Sequence, residues 1–184
     1  MKKIKCIVIG DDEVGKTSLL ISYTTNTFSG EYVPTVFESC SSIVTFDNQS
    51  IDLQIWDTST KGNYKQVIPI LYPIVDIIIV CFSLVSPISF GNVEKVWIPE
   101  IKSNCPNTPY ILVGMKSDLR ANTSQIIISK EEGERLMKKI GARCYIECSS
   151  LNMFQVKDVF ENVIKIVLYK NQEEKNAKSN CLIF

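Results

Sequence analysis

The chain is predicted to fold as an α/β domain, a mainly parallel sheet with helices on both faces and one antiparallel edge strand. Three observations carry this. Six short runs rich in β-branched residues recur along the sequence, and between most of them lie segments whose apolar residues repeat at three and four. Runs such as DIIIVCF are apolar throughout, which suits strands covered on both faces; one-sided sheets alternate instead. The third observation is the stretch FDNQSID, which reads as a tight hairpin turn and makes one edge strand antiparallel.

Taken in order, the strands are expected at residues 5–9, 42–46, 51–56, 77–82, 110–113 and 143–147. Helical spacing predicts helices over 15–23, 89–103, 129–140 and 153–169, the last through Val156, Val159, Phe160, Val163 and Val167. After Tyr169 the stretch KNQEEKNAKSN has almost no apolar residues, so one domain over 1–170 is expected, followed by a flexible tail over 171–184.

Composition narrows the classes. A chain of 184 residues that is 45% hydrophobic has material for one full core. Twenty basic residues balance twenty acidic ones, which gives no reason to expect nucleic acid as a partner. Seven cysteines with no histidine and no C-x-x-C pair argue against a metal site of those ligands and for a reducing compartment. MKKIKCIVIG runs straight into a strand without a cleavage pattern, and IVDIIIVCF is too short to span a bilayer.

The string GDDEVGKT, Gly10 to Thr17, fits G-x-x-x-x-G-K-[ST] and lies between an apolar strand and a helical segment. Its glycines let the backbone wrap so that its N–H groups and the helix N-terminus face phosphate oxygens, which makes Asp12, Glu13, Val14, Gly15, Lys16, Thr17 and Ser18 the candidate binding residues. Lys16 reaches the terminal phosphates and the Thr17 hydroxyl ligates Mg²⁺. Asp57 ends the strand IDLQIWD, where ligand-binding groups collect in open parallel sheets, and can hold Mg²⁺ through water. VGMKSD closes another strand, and a carboxylate at Asp118 can accept both donors on the Watson–Crick edge of guanine. ECSSLN follows the next strand and offers main-chain N–H groups near Ser149 and Ser150 to the base carbonyl.

Together these pieces resemble the small Ras-like GTPases, and within them the Rho family. YVPTVFES is similar to the Rho switch I, SPISFGNVEKVWIPEIKSNCPNTPYILVG to the Rho fourth strand and third helix, and CLIF to a terminal lipidation box. The resemblance implies a P-loop NTPase fold, the six-stranded Ras-like G domain, working as a GTP/GDP switch with Mg²⁺ held by Thr17, Thr35 and Asp57. It implies that Phe28 packs edge-on against the base, that Lys116 and Asp118 select guanine with Leu119 and Leu151 beside them, and that Tyr32, Pro34, Thr35 and Thr60 close over the phosphates. The catalytic positions are Lys16, Thr35 and residue 61. Implied partners are an exchange factor, effectors reading Val33 through Cys40 (residues 33–40), and a dissociation inhibitor. The implied protein is a monomer in the cytoplasm and, lipid-anchored, at the cytosolic face of a membrane, expected to be the plasma membrane.

Several positions depart from the family pattern. RANTSQIIISKEEGERL is too short for the extra Rho helix, Met115 stands where the base motif has Asn or Thr, and Cys40 where an aromatic is usual. Asp12 replaces a phosphate-loop glycine, and the family's DTAGQE is here DTSTKG, which puts Thr60 for a glycine and Lys61 for the water-orienting glutamine. An ammonium only donates, so Lys61 cannot orient water as an amide does, and Asp12 occupies space that an activating arginine enters. Slow hydrolysis is expected. Compensation stays open, since Lys61 can pair with Asp12 or lend its charge to the phosphate. Two functions follow, a slowly cycling GTPase and a hydrolysis-deficient, GTP-loaded effector-binding module; a small-metabolite kinase lacks a visible lid segment. CLIF favours geranylgeranylation of Cys181 with loss of Leu182, Ile183 and Phe184. Lys170, Lys175 and Lys178 are offset by Glu173 and Glu174, so reversible attachment is expected.

Overall fold

A computed structural model describes residues 1–28, 39–58, 70–121 and 126–180, without the side chains of residue 39 and of 171–180. The strands are β1 (Lys2–Gly10), β2 (Ser39–Phe46), β3 (Gln49–Asp57), β4 (Ile77–Ser83), β5 (Tyr110–Met115) and β6 (Tyr145–Glu147). They form one sheet in the order β2-β3-β1-β4-β5-β6, parallel except where β2 meets β3. The expected hairpin is a two-residue loop: Phe46 pairs with Gln49, and Asp47 and Asn48 both have positive φ, 48° and 59°. A loop of this hand matches the twist of its strands.

The helices are α1 (Lys16–Thr25), α2 (Pro87–Asn92), α3 (Ile98–Asn104), α4 (Lys130–Ile140) and α5 (Val156–Asn180). Strand residues alternate between two cores, as full coverage of the sheet requires. Ile4, Cys6 and Val8 of β1 pack with Leu19 and Leu20 of α1 and with Val159, Phe160 and Val163 of α5. Ile7 and Ile9 face the other way, toward Trp97, Ile98, Ile101, Leu136 and Ile140. Tyr23 stacks on Phe160 with ring centroids 3.9 Å apart, locking α1 to α5. Among the described residues, no helix is long and apolar enough to cross a membrane.

Three expectations change. The helix expected over 89–103 starts at Pro87, with the Ser86 hydroxyl accepting from the Ser89 N–H as its cap, and is interrupted by a π turn, Val93–Trp97. The last strand starts at Tyr145 rather than at residue 143. The terminal helix runs to Asn180 where a flexible tail was expected from residue 171. Low apolar content argues against packing, but 171–180 has no Gly or Pro, and its two Glu, two Lys and one Ala are good helix formers with an upstream helix to extend.

Candidate functional site

β1 lies between β3 and β4, and the crevice beyond the carboxyl ends of these strands is where an open α/β sheet places its ligands. Gly10 leaves β1 with φ +141°, and a Cβ there would sit 2.2 Å from the Cys81 carbonyl oxygen of β4, so no side chain fits. The chain then turns through Glu13 (φ 62°) and Gly15 (φ 110°) into α1. Lys16, 3% exposed, donates from Nζ to the carbonyl oxygens of Gly10 at 2.9 Å and Asp11 at 2.8 Å. Burial lowers the pKa of this ammonium, against the opposing pull of Cys81, Asp57, Asp12 and Asp11. A phosphate oxygen is a fitting further acceptor for this desolvated ammonium, whose present hydrogen bonds go to two neutral carbonyls.

Beside it, Thr17 Oγ1 donates to Asp57 Oδ2 at 2.6 Å, bringing a hydroxyl and a buried carboxylate from α1 and β3 together. Two hard oxygen donors next to a phosphate cradle fit Mg²⁺, which when bound neutralises phosphate charge. Thr58 Oγ1 donates to the Val8 carbonyl at 2.7 Å and pins the chain just after Asp57 to β1.

A second cavity of about 200 Å³ opens next to the phosphate loop. Gly15 and Ser18 line one side, Met115, Lys116, Asp118 and Leu119 another, and Phe28, Ser150 and Leu151 complete it. Lys116 has φ 64°, which turns the chain sharply out of β5. Ser149, fully buried, donates from Oγ to Asp118 Oδ1 at 2.5 Å, joining the two loops behind the cavity. Arg120 grips Glu147 with both arms, Nε to Oε2 at 2.9 Å and Nη2 to Oε1 at 2.6 Å, which ties the same loops further out. Ser150 Oγ is buried without a hydrogen-bond partner among the described residues. A cavity with one carboxylate in its lining, sharing Gly15 with the phosphate loop, can hold the base of a nucleotide whose phosphates lie in the loop.

A sequence model of the Ras family matches residues 5–169. The chain belongs to the Ras family. It is a small GTPase, and the proteins of this family bind GTP and GDP with Mg²⁺.

The Ras-family site gathers the predicted residues in two groups. Val14, Gly15, Lys16, Thr17 and Asp57 meet at the phosphate loop, with Asp12 and Glu13 exposed on its rim. Ser18, Phe28, Lys116, Asp118, Leu119, Ser149, Ser150 and Leu151 meet at or behind the second cavity. Tyr32, Pro34, Thr35, Thr60, Lys61 and Cys181 lie outside the described residues, as does most of 33–40. Met115, a thioether where the family has Asn or Thr, is 1% exposed, with its Cε 3.4 Å from where a Gly15 Cβ would be and its sulfur 3.5 Å from Cys148 Sγ. The two loops are still joined, through dispersion contacts of a thioether.

Sequence reasoning missed the groups that brace the site. The sequence gives no role to Thr58, Arg120 or Glu147, nor to Asp11, whose carboxylate accepts from Asn92 Nδ2 at 2.6 Å and Trp97 Nε1 at 2.8 Å. The available signal was a charged residue inside a phosphate loop, which needs a partner once buried.

Proposed function

We propose that this Ras-family GTPase is a Rho-like signalling switch, selective for guanine nucleotides, that hydrolyses GTP slowly and acts mainly as a GTP-loaded effector-binding module. The observation carrying slow hydrolysis is the exposed Asp12 carboxylate at the phosphate-loop rim, beside Lys16. A carboxylate there opposes the charge that builds on a transferring phosphoryl group and fills the approach of an activating arginine. Lys61 adds a second obstacle, since it cannot accept a hydrogen bond from water.

In this reading the Asp118 carboxylate accepts the guanine ring N–H and amino group, and main-chain N–H groups at Ser149 and Ser150 meet the base carbonyl. Phe28, 40% exposed at the cavity mouth, has ring surface available for the base. Thr35 and Thr60 sense the γ-phosphate, and effectors read residues 33–40, whose last residue, Cys40, pairs with Ile55 on the sheet-edge strand β2. The stretch from Ile126 to Ser129 has no helix and α4 starts directly after it, in keeping with a Rho-like chain that lacks the extra helix. Prenylation of Cys181 gives reversible membrane attachment. Regulation then falls to exchange, expression or lipidation more than to an activating protein.

Single-turnover hydrolysis of preloaded GTP is the deciding experiment. Release of phosphate over hours, little changed by a Rho activating protein, is the expected result. Rapid turnover by the purified chain overturns the GTP-loaded reading and leaves an ordinary cycling switch.

A further inference from the structure

We propose that Asn92 and Trp97 are positioning residues for the nucleotide phosphates, acting through the side chain of Asp11. The Asp11 carboxylate is held at both oxygens: Asn92 Nδ2 donates to Oδ2 at 2.6 Å and Trp97 Nε1 to Oδ1 at 2.8 Å. Trp97 is 5% exposed, and the bond it makes is part-buried at the wall of a cavity that Asp11, Asn92 and Trp97 line together. The main chain of the same residue faces the site, since its carbonyl accepts from Lys16 Nζ at 2.8 Å. One residue therefore joins the helix side of the fold to the ammonium that meets phosphate.

The local backbone is built for this contact. Residues five apart on a regular α-helix diverge by about 140° around the axis, which would carry Asn92 and Trp97 to different faces. Between them runs the π turn Val93–Trp97, closed by the Ile98 N–H on the Val93 carbonyl, five residues back. The wider turn brings five-apart residues over one another, and both side chains reach the same carboxylate.

The pair does two things for the site. It fixes the phosphate loop at the residue that holds Lys16, and it directs the Asp11 charge onto two N–H donors. With the donors removed, the carboxylate is free to turn toward bound phosphates and repel them, more strongly for GTP than for GDP because of the extra phosphate. This inference needs only a nucleotide-binding Ras-family chain, and stands whether hydrolysis is fast or slow.

The test uses the full chain loaded with a fluescent-labelled GDP or a labelled non-hydrolysable GTP analogue, and measures release rates and melting temperature. Trp97→Phe should speed release on the order of tenfold, about the worth of one charge-assisted hydrogen bond, and Asn92→Asp by more, since it also sets a second carboxylate against Asp11, both with the larger effect on the GTP analogue. Asp11→Asn combined with Asn92→Asp should recover most of the loss. The amide at position 11 then donates to the carboxylate at position 92, while its oxygen still accepts the Trp97 N–H. In the GDP complex, the indole N–H resonance assigned by its loss in Trp97→Phe should shift in Asp11→Asn. Lower melting temperature with unchanged release in Trp97→Phe, an exchange pair no better than Asn92→Asp alone, or an unmoved indole resonance would each overturn the proposal.

Discussion

Asp118→Ala separates the role that the proposed function gives this carboxylate toward guanine from its observed role toward Ser149. Toward the ligand, it removes the acceptor for two N–H donors of guanine, each a hydrogen bond to a charged group and worth about 1.5–3 kcal/mol. The sum, about 3–6 kcal/mol, predicts GDP affinity weaker by roughly a hundred- to ten-thousand-fold. Toward the protein, it takes from the fully buried Ser149 hydroxyl the acceptor now 2.5 Å away, leaving it, among the described residues, the long 3.4 Å contact from the Asn152 N–H. An orphaned buried hydroxyl costs about 1–3 kcal/mol, which should appear as a lower melting temperature before any nucleotide is added. Adding Ser149→Ala to Asp118→Ala removes the orphaned group, and should restore part of the stability with none of the affinity. Competition titrations of GDP against a fluorescent nucleotide in Mg²⁺ buffer, with ATP as control, and melting curves of the same samples read both effects. A loss of GDP affinity under tenfold, or wild-type protein binding ATP as well as GDP, refutes the reasoning.

Three further outcomes are expected. Asp12→Gly with Lys61→Gln should raise single-turnover GTP hydrolysis at least tenfold, and a fall in rate would show that Lys61 compensates for the missing glutamine. Gly10→Ala forces a Cβ to 2.2 Å from a backbone oxygen at φ +141°, so it should destabilise by about 4 kcal/mol or more; a melting temperature within a few degrees of wild type contradicts the geometry. Cys181→Ser should abolish incorporation of a geranylgeranyl group and release the chain from membranes, and unchanged membrane association would refute the anchor.

What could be read from the sequence was what lies close together along it. The phosphate loop is eight consecutive residues between a strand and a helix, and Asp57 ends an apolar run, so periodicity and one short string locate both. Strand–helix alternation and the hairpin were legible too, with boundary errors of a few residues, whereas the order β2-β3-β1-β4-β5-β6 rests on pairings between strands distant in sequence. The braces were out of reach for a different reason. Asp11 meets Asn92 and Trp97 across sequence separations of 81 and 86, and Arg120 meets Glu147 across 27. No local pattern marks such pairs. The π turn was equally hidden, since one altered turn barely disturbs a three-and-four repeat. At the far end, composition speaks to packing, whereas propagation from an existing helix carries the backbone on to Asn180.

The cysteines placed in the sheet give the protein an internal clock. Cys6, Cys81 and Cys148 are buried in one core, and burial raises their thiol pKa, that of Cys81 to about 12, so at neutral pH they stay protonated and poor nucleophiles. Cys6 and Cys81 sit on the neighbouring strands β1 and β4 at the centre of the sheet, whereas Cys40 and Cys144 are only half-buried. An alkylating reagent should therefore mark the half-buried pair early, and reach Cys6 and Cys81 only when the central strands part. The slow phase of labelling measures how often the whole sheet opens. Saturating nucleotide multiplies that waiting time by about one plus the ratio of free ligand to its dissociation constant, so the natural thiols report occupancy of the site without any probe attached to it.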